Sequence, residues 1–328
     1  MSAPWRIGLV VIALGTVALE RGGWAQPVRL VKLGYLPVIS FAPIFIAIEK
    51  GYFEGQGIKV GLEQFTTAAK MNTALAVGEL QVASGAASAG LFNAMASGMD
   101  FKIVADKGQI RPGFSYVTLV VRKDLLDRGV VRSVADLKGM RISLPIAGSV
   151  NHYMLAKMLE AEGVAEETVR LIFLGNPNLP QAFATGAIDA GIAIEPWGTL
   201  LKHQGRALVL RLPEELKSLE RLQVAVIIYG GKFISEARPT AERFMRAYLA
   251  GVKFHNQRGI KDPEVLEIVA KHTKVPVPTI RQAIPFYLAD DGMPILESLA
   301  DQQDWFFARG FVKQKVTMDR MVDLGFLR

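Results

Sequence analysis

The sequence of 328 residues contains no cysteine, and this absence excludes several kinds of protein. Without cysteine the chain has no disulfide, no thiolate metal site, no cysteine nucleophile and no lipid anchor attached through that side chain. Beyond the first 25 residues, no apolar run approaches the roughly 20 residues that a membrane span needs. Hydrophobic residues make up 50% of the chain and charged residues 21%, which is typical of a well-packed globular protein.

Catalytic motifs are also missing. The sequence has no GxSxG, no HExxH and no Walker phosphate loop. Four histidines are present: His152, His203, His255 and His272. None has the spacing to another histidine that a shared metal ion needs. The paired carboxylates Asp290 and Asp291 precede Gly292, which favours a turn over an acid/base pair. These absences predict a binding protein without catalytic residues, metal or cofactor.

The positive charge of the chain is diffuse. The formal net charge is +7, yet lysine and arginine are scattered, with no run of five or six like charges. A nucleic-acid-binding face needs a concentrated basic patch, so the sequence predicts no nucleic-acid partner. A diffuse excess of positive charge only favours weak attraction of anions.

Residues 1–25 have the pattern of an export signal. Arg6 is a short positive region, residues 7–19 are an apolar stretch, and Gly23 and Ala25 place small residues before a cleavage point after Ala25. The alternative is an N-terminal anchor that is not cleaved. A soluble, exported protein without cysteine predicts the periplasm of a Gram-negative bacterium.

Strands and helices alternate along the first 105 residues. Strands are predicted at 28–35, 58–62, 80–84 and 101–105, with helices between them near 43–50, 68–77 and 86–96. This alternation predicts an α/β fold with a doubly wound, mostly parallel sheet. The tail is predicted to be helical near 239–257, 263–272, 278–288 and 294–309, with Phe244, Tyr248 and Val252 forming a core-facing stripe.

The pattern restarts after residue 139, which predicts a second lobe. Residues 74–80 match residues 182–188 at an offset of 108, and Leu36-Pro37 matches Leu144-Pro145 at the same offset. Chance similarity between common residues is the alternative explanation.

Two extended apolar stretches, 116–121 and 224–229, are candidates for strands that cross between the lobes. The predicted division is residues 26–112 plus 225–328 for lobe one and 113–224 for lobe two.

Four loops at the carboxyl ends of predicted strands carry candidate ligand-binding residues: 36–41, 85–90, 148–152 and 195–197. Ligands bind at such positions in doubly wound sheets because helix N-termini present free N–H groups there. Packing or an ordinary helix cap is the alternative role of each loop. The offset of 108 relates the second loop to the fourth, so we expect these two to face each other across a cleft.

Several motifs resemble one known family. Residues 47–53 (AIEKGYF) and 57–60 (GIKV) are similar to the opening signature of the nitrate/sulfonate/taurine group of substrate-binding proteins, which includes binders of thiamine-precursor pyrimidines. Residues 139–153, 182–190 and 195–197 (EPW) continue the resemblance, which covers residues 28–200 best. Some relatives synthesise the thiamine pyrimidine, but they depend on a cysteine-rich iron motif that this chain lacks.

The resemblance implies a type II periplasmic-binding-protein fold, a monomer that captures a small molecule between two lobes. It implies delivery of that ligand to an ABC permease driven by a separate ATPase. A sensor that presents ligand to a receptor is an alternative. The ligand-binding candidates are Ser40, Phe41, Thr67, Ala87, Ser88, Arg111, Ser149, Asn151, Asn176, Glu195 and Trp197.

Two classes of ligand fit these candidates. A small organic anion of the alkanesulfonate kind would be held by the helix N-termini at Ser88 and Ser149, with Arg111 adding charge near the hinge. A flat aromatic or heterocyclic molecule would instead stack between Phe41 and Trp197, and its ring amine or amide would donate to Glu195. The anion is the preferred hypothesis.

Overall fold

A computed structural model of the chain describes Met1, residues 28–66 and residues 68–328. The export signal predicted over residues 1–25, apart from Met1, and the candidate Thr67 lie outside the described residues. Within the described ranges no helix is long and apolar enough to cross a membrane.

The first sheet has five strands in the order β2-β1-β3-β10-β4. Strands β1, β2 and β3 run parallel, whereas β10 runs antiparallel to both of its neighbours, β3 and β4. The strands are β1 Arg29–Tyr35, β2 Ile58–Gln64, β3 Val82–Ala86, β4 Phe101–Ile110 and β10 Leu222–Gly230. β10 lies between β3 and β4 and is buried along its whole length.

The second sheet repeats that arrangement in the order β7-β6-β8-β5-β9. Strand β6 is parallel to β7 and β8, and β5 is antiparallel to β8 and β9. The strands are β5 Val117–Arg122, β6 Arg141–Leu144, β7 Arg170–Phe173, β8 Ala190–Ile194 and β9 Ala207–Arg211. The predicted α/β two-lobed fold is confirmed, although each sheet is mixed because it contains one antiparallel strand.

The described helices flank the two sheets. They are α1 Ala42–Glu49, α2 Tyr52–Gly55, α3 Ala68–Ala76, α4 Ala89–Ala96, α5 Lys123–Asp127, α6 Val150–Ala161, α7 Leu179–Ala184, α8 Trp197–His203, α9 Gly231–Glu236, α10 Arg238–Arg258, α11 Pro263–Thr273, α12 Val277–Arg281, α13 Leu296–Ala308 and α14 Met318–Met321. The predicted stripe on α10 is confirmed, since Phe244, Tyr248 and Val252 are all buried. Helix α10 lies so close to α1 that a Cβ at Gly251 would overlap the carbonyl group of Pro43.

One predicted helix is much shorter than expected. The sequence predicted a helix over 278–288, but α12 ends at Arg281 and Tyr287 instead pairs with Gln109 of β4. Pro285 explains the difference, because its ring would clash with the carbonyl of residue 281 if the helix continued.

The chain passes between the sheets twice. It leaves β4 at Ile110 and enters β5 at Val117, and it leaves β9 at Arg211 and enters β10 at Leu222. The two stretches proposed to cross, 116–121 and 224–229, therefore lie mainly inside β5 and β10, and the connections are 111–116 and 212–221. Each connection leads directly into the strand that runs antiparallel to its neighbours in the sheet that the chain enters.

Candidate functional site: a cavity between the lobes

A cavity of about 90 Å³ lies between the carboxyl ends of the strands of the two sheets. Its wall is made of Leu36, Val38, Ser40, Thr66, Gly85, Ala86, Ser88, Gly90, Lys107, Tyr116, Pro145, Ile146, Ala147, Gly148, Ser149, Asn151, Asn176, Ile194, Val224 and Ala225. Both lobes contribute residues, so a molecule inside would contact both at once.

Five of the predicted ligand-binding residues meet at this cavity. They are Ser40, Ser88, Ser149, Asn151 and Asn176. The Oδ1 atom of Asn176 accepts a hydrogen bond of 2.8 Å from the backbone N–H of Ile194, and this bond orients the amide group.

Two helices begin at the cavity. Ser88 caps α4 by accepting from the N–H of Leu91 at 3.3 Å, and Ser149 caps α6 by accepting from the N–H of His152 at 3.3 Å. Serine is favoured at this position because its oxygen satisfies an N–H that has no partner within the helix. The partial positive ends of both helices therefore face the same small space.

The aromatic and acidic candidates lie elsewhere. Phe41 is fully buried and packs on Phe45, with a ring-centroid distance of 6.0 Å. The indole Nε1 of Trp197 donates to the carbonyl of Pro37 at 3.0 Å. The carboxylate of Glu195 accepts from the N–H and the hydroxyl of Thr199, both at 3.1 Å, and so caps its own helix. The structure therefore does not bring Phe41, Glu195 and Trp197 together around one ligand.

The remaining candidates are close to the cavity or at the hinge. Ala87 is buried, and its neighbours Ala86 and Ser88, not Ala87 itself, line the cavity. Arg111 lies in the first connection between the sheets, with its guanidinium carbon 5.4 Å from the ring centre of Tyr287.

Lys107, which lines the cavity from β4, was not among the predicted residues. Its side chain is almost fully buried, and its Nζ lies 3.6 Å from the ring centre of Phe41. Burial lowers the pKa of Lys107 well below its ordinary value, with a smaller opposing effect of Asp106. The predicted strand ended at Ala105, and for that reason the lysine was not recognised as part of a buried strand.

Tyr116 is the second residue that the sequence did not reveal. Its hydroxyl lies beside Ser40 in the cavity wall and has no well-aligned hydrogen-bond partner among the described residues. Gly108 makes room for it, since a Cβ at that position would be 2.6 Å from the hydroxyl oxygen. Burial raises the pKa of Tyr116 well above its ordinary value, so the group stays a neutral hydroxyl.

Direct hydrogen bonds join the lobes around the cavity. Ala89 N–H donates to the carbonyl of Gly148 at 2.8 Å, and Ile39 N–H donates to the carbonyl of Glu195 at 3.0 Å. The second loop thus contacts the third, and the first contacts the fourth, so the expectation that the second would face the fourth was wrong. The offset of 108 residues relates loop 36–41 to loop 148–152, and loop 85–90 to loop 195–197. The contact between 85–90 and 148–152 is therefore the equivalent of the contact between 195–197 and 36–41.

The residues that line the cavity include one basic side chain and no acidic one. Its polar groups are hydroxyls, amides and one amine, and no lining residue is an aspartate or glutamate. Asp106, although next to Lys107, is engaged elsewhere: its carboxylate accepts from the N–H of Gly108 and Ala289 at 2.9 Å and from the side chain of Gln223 at 2.8 Å. The cavity therefore offers hydrogen-bond donors and a potential cation to whatever occupies it.

Comparison with known proteins supports this description. Residues 38–261 match the family model described as NMT1/THI5 like. A putative aliphatic sulfonates-binding protein of Bacillus subtilis is 25% identical over 342 aligned residues, which cover 98% of this chain and 94% of the relative. The formylaminopyrimidine-binding protein of Halalkalibacterium halodurans is 25% identical, covering 68% of this chain and 65% of that protein.

Solved structures show the same fold. The alkanesulfonate-binding protein SsuA of Xanthomonas axonopodis, bound to MOPS, has a TM-score of 0.73 at 21% identity, covering 90% of this chain and 99% of that one. The nitrate-binding protein NrtA of Synechocystis has a TM-score of 0.79 at 15% identity, with coverage of 91% and 87%. The desulfurization enzyme DszB also shares the fold, with a TM-score of 0.66 at 14% identity and coverage of 91% and 97%.

The family match covers more than half of the chain, and the two-lobed fold agrees with it. The chain therefore belongs to the NMT1/THI5-like family and is a member of the nitrate/sulfonate/taurine group of ABC substrate-binding proteins.

Proposed function

We propose that this protein is the extracytoplasmic solute-binding component of an ABC importer for a small organic anion of the alkanesulfonate kind. It closes its two lobes, one built on each sheet, around the ligand and delivers it to a permease driven by a separate ATPase. It acts as a monomer in the periplasm. Closure is a hinge motion at the two connections, and contacts to both lobes are what let the ligand favour the closed form.

The observation that carries the choice of an anion is the polar composition of the cavity. One buried amine, three hydroxyls of serine residues and two helix N-termini converge there, and no carboxylate lines it. A carboxylate or sulfonate would accept from the amine, from the hydroxyls of Ser40 and Ser88 and from free N–H groups at the two helix starts, and charge-assisted hydrogen bonds are about twice as strong as neutral ones. A cationic ligand would have no counter-charge in this wall.

The size and the apolar part of the wall support a short aliphatic tail. A cavity of about 90 Å³ has room for roughly six water-sized groups, whereas sites for drug-sized ligands span about 300–1,000 Å³. Leu36, Val38, Ile146 and Val224 contribute aliphatic surface opposite the polar groups. A sulfonate with one to three carbon atoms fits this combination.

The alternative ligand, a flat pyrimidine-like ring, has less support from the geometry. It depends on Phe41 and Trp197 as stacking partners and on Glu195 as an acceptor. The first is buried in lobe one, and the other two have their polar groups occupied by Pro37 and Thr199. The similarity to a formylaminopyrimidine-binding protein is the reason to include an aminopyrimidine among the titrated compounds.

We infer a binder and not an enzyme. The fold alone does not decide this, because DszB shares it. A solved complex of that enzyme carries a cysteine-to-serine substitution, and this chain has no cysteine. Among the residues that line the cavity, none is a histidine, aspartate or glutamate placed to act as a general base beside a serine.

Titration calorimetry of the purified protein tests the proposal. Methanesulfonate and ethanesulfonate are compared with dimethyl sulfone, a neutral molecule of similar shape, and with an aminopyrimidine. Binding of a sulfonate at least tenfold tighter than that of the sulfone supports the anion, and any turnover of the bound sulfonate would contradict the non-enzymatic role. Equal affinity for both, or binding of the pyrimidine alone, would refute the proposal.

A further inference from the structure

Lys107 is a buried amine without an anionic partner. Its exposed fraction is 2%, and the described residues provide no ion pair or hydrogen bond to its Nζ. Among the described residues, the ring face of Phe41 is the recorded contact of Nζ, at 3.6 Å from the ring centre. A ring face attracts a cation, but it replaces neither the hydration shell nor a counter-ion.

The adjacent carboxylate does not serve as that partner. Lys107 lines the cavity and Asp106 does not, and the ladder between β4 and β10 is irregular at these two residues. Asp106 already accepts from Gly108, Gln223 and Ala289. Burial raises the pKa of Asp106 to about 6. Above that pH its negative charge opposes the effect of burial on the pKa of Lys107 but does not outweigh it.

Among the described residues that line the cavity, Lys107 is the one with a side chain that can carry a charge near neutral pH. Tyr116, from the first connection between the sheets, is the other titratable residue in the wall. The turn before α1 presents Ser40 and Phe41, β10 presents Val224 and Ala225, and the loops of lobe two present hydroxyl and amide groups. Burial without a counter-ion raises the free energy of the ammonium form, so a buried lysine in such surroundings tends to lose its proton.

We propose that Lys107 is neutral in the closed, empty cavity and takes up a proton as the anion enters, so that anion and proton are bound together. This inference rests on the proposed function and deepens it, because it makes Lys107 the residue that selects for negative charge. The ammonium then donates to the ligand's oxygen atoms and the pair is neutral. A neutral molecule of the same shape does not stabilise the ammonium form of Lys107, so it binds without proton uptake.

Uptake of a proton makes the affinity for the anion depend on pH. The complex binds one proton more than the empty protein at every pH between the pKa of Lys107 in the empty cavity and its higher pKa beside the anion. Affinity for the anion therefore falls as pH rises through this window, by up to tenfold per pH unit. Because the sulfonate itself stays ionised throughout, its own titration contributes nothing.

Calorimetry in buffers of different ionisation enthalpy counts the protons. Ethanesulfonate is titrated into the purified protein at pH 8 in triethanolamine, imidazole and Tris, which carry no anionic group, and the observed enthalpy is plotted against the ionisation enthalpy of the buffer. We expect close to one proton taken up per ligand. Lys107→Arg, which keeps the charge permanently, should bind without proton uptake, and Lys107→Met should lose at least tenfold in affinity.

A second measurement keeps the test independent of folding in the variants. The ¹³Cε resonance of Lys107, followed with ¹³C-labelled lysine in the empty wild-type protein, should titrate well below the ordinary lysine range of about 10.4. Titration in the ordinary range, or ethanesulfonate binding without proton uptake, would overturn this inference and leave the proposed function standing. Failure of every alkanesulfonate to bind at millimolar concentration would overturn both.

Discussion

At the scale of single residues, two buried side chains determine the character of the cavity wall. Lys107 provides its potential charge, and Tyr116 provides a hydroxyl that is held in place by the absence of a side chain at Gly108. Neither was predicted from the sequence, because burial of a lysine depends on which strand lies beside it and not on its sequence neighbours.

Gly108→Ala tests whether the position of Tyr116 depends on that glycine. The added Cβ would lie 2.6 Å from the tyrosine hydroxyl, and overpacking of this kind costs about 1–3 kcal/mol of stability. Urea unfolding measures the loss. Gly61→Ala in β2 is the control, because its Cβ would have its nearest neighbour at 3.4 Å. Adding Tyr116→Phe to Gly108→Ala removes the clashing oxygen and should recover part of the loss; no recovery would contradict the explanation.

Glu195 should make the stability of the protein depend on pH. Burial raises the pKa of this carboxyl to about 7, despite hydrogen bonds from Thr199. Since the folded pKa is higher than the unfolded one, stability is greatest below the unfolded pKa of about 4.3 and falls as pH rises to about 7, by about 3 kcal/mol.

Glu195→Gln removes that titration and keeps an acceptor oxygen for the helix cap. We expect the difference in unfolding free energy between the variant and the wild type to shift in favour of the variant between pH 4.5 and pH 8. Glu79→Gln, at an exposed position, is the matched control and should show no such shift. A pH-independent difference for Glu195→Gln would show that the carboxyl titrates normally.

At the scale of elements, the cavity is built from strand ends and helix starts. Ser149 has two roles there, since its Oγ caps α6 and also donates to the carbonyl of Ile146 at 2.8 Å. Ser149→Ala should cost about 1 kcal/mol of stability through the lost cap. It should also weaken binding of the anion several-fold, because the start of α6 and the loop at Ile146, which both line the cavity, lose the bonds that position them.

Asp262→Ala separates the two effects. Asp262 caps α11 through bonds of 2.9 and 3.3 Å to the N–H groups of Glu264 and Val265, and it does not line the cavity. Thermal unfolding and calorimetry of both variants should show similar losses of stability and a loss of affinity for Ser149→Ala alone. Equal affinities for the two variants would remove the Ser149 hydroxyl from the binding site.

These elements also show what the sequence could predict. Helix caps and glycine stops are local signals, so the serines at the starts of α4 and α6 were found from the sequence. The offset of 108 residues was visible too, and the structure shows its origin: β3 starts at Val82 and β8 at Ala190, while α4 starts at Ala89 and α8 at Trp197. The partners across the cleft were not predictable, because they depend on how two separate lobes dock.

At the scale of the whole molecule, the tail of lobe one reaches across to lobe two. The rings of Trp305 and Phe311 contact His152 of α6, with centroid distances of 5.4 and 5.3 Å. Arg309 makes a 2.7 Å ion pair with Glu166, which is itself 2.8 Å from the Nε2 of His152. The Nδ1 of the same histidine accepts from the N–H of Gly148 at 3.1 Å, so this chain of contacts ends at a cavity loop.

This arrangement predicts that the ion pair favours the closed form without touching the ligand. The hydrogen bond from His152, together with Arg309, lowers the pKa of Glu166, which therefore stays ionised near neutral pH. Since Arg309 is partly exposed, the pair is worth about 0.2–1 kcal/mol. Arg309→Met should then weaken anion binding by up to about fivefold, mainly through faster dissociation.

Lys315→Met provides the comparison, because Lys315 pairs with Asp304 at 2.8 Å within the same tail and does not bridge the lobes. Stopped-flow dissociation rates and small-angle scattering of both variants separate closure from general loss of charge. Only Arg309→Met should dissociate faster and give a larger radius of gyration with ligand bound, and added salt should bring the wild type closer to this variant, since a partly exposed pair is screened. If both substitutions change the rate equally, the effect is one of net charge, and the tail does not take part in closure.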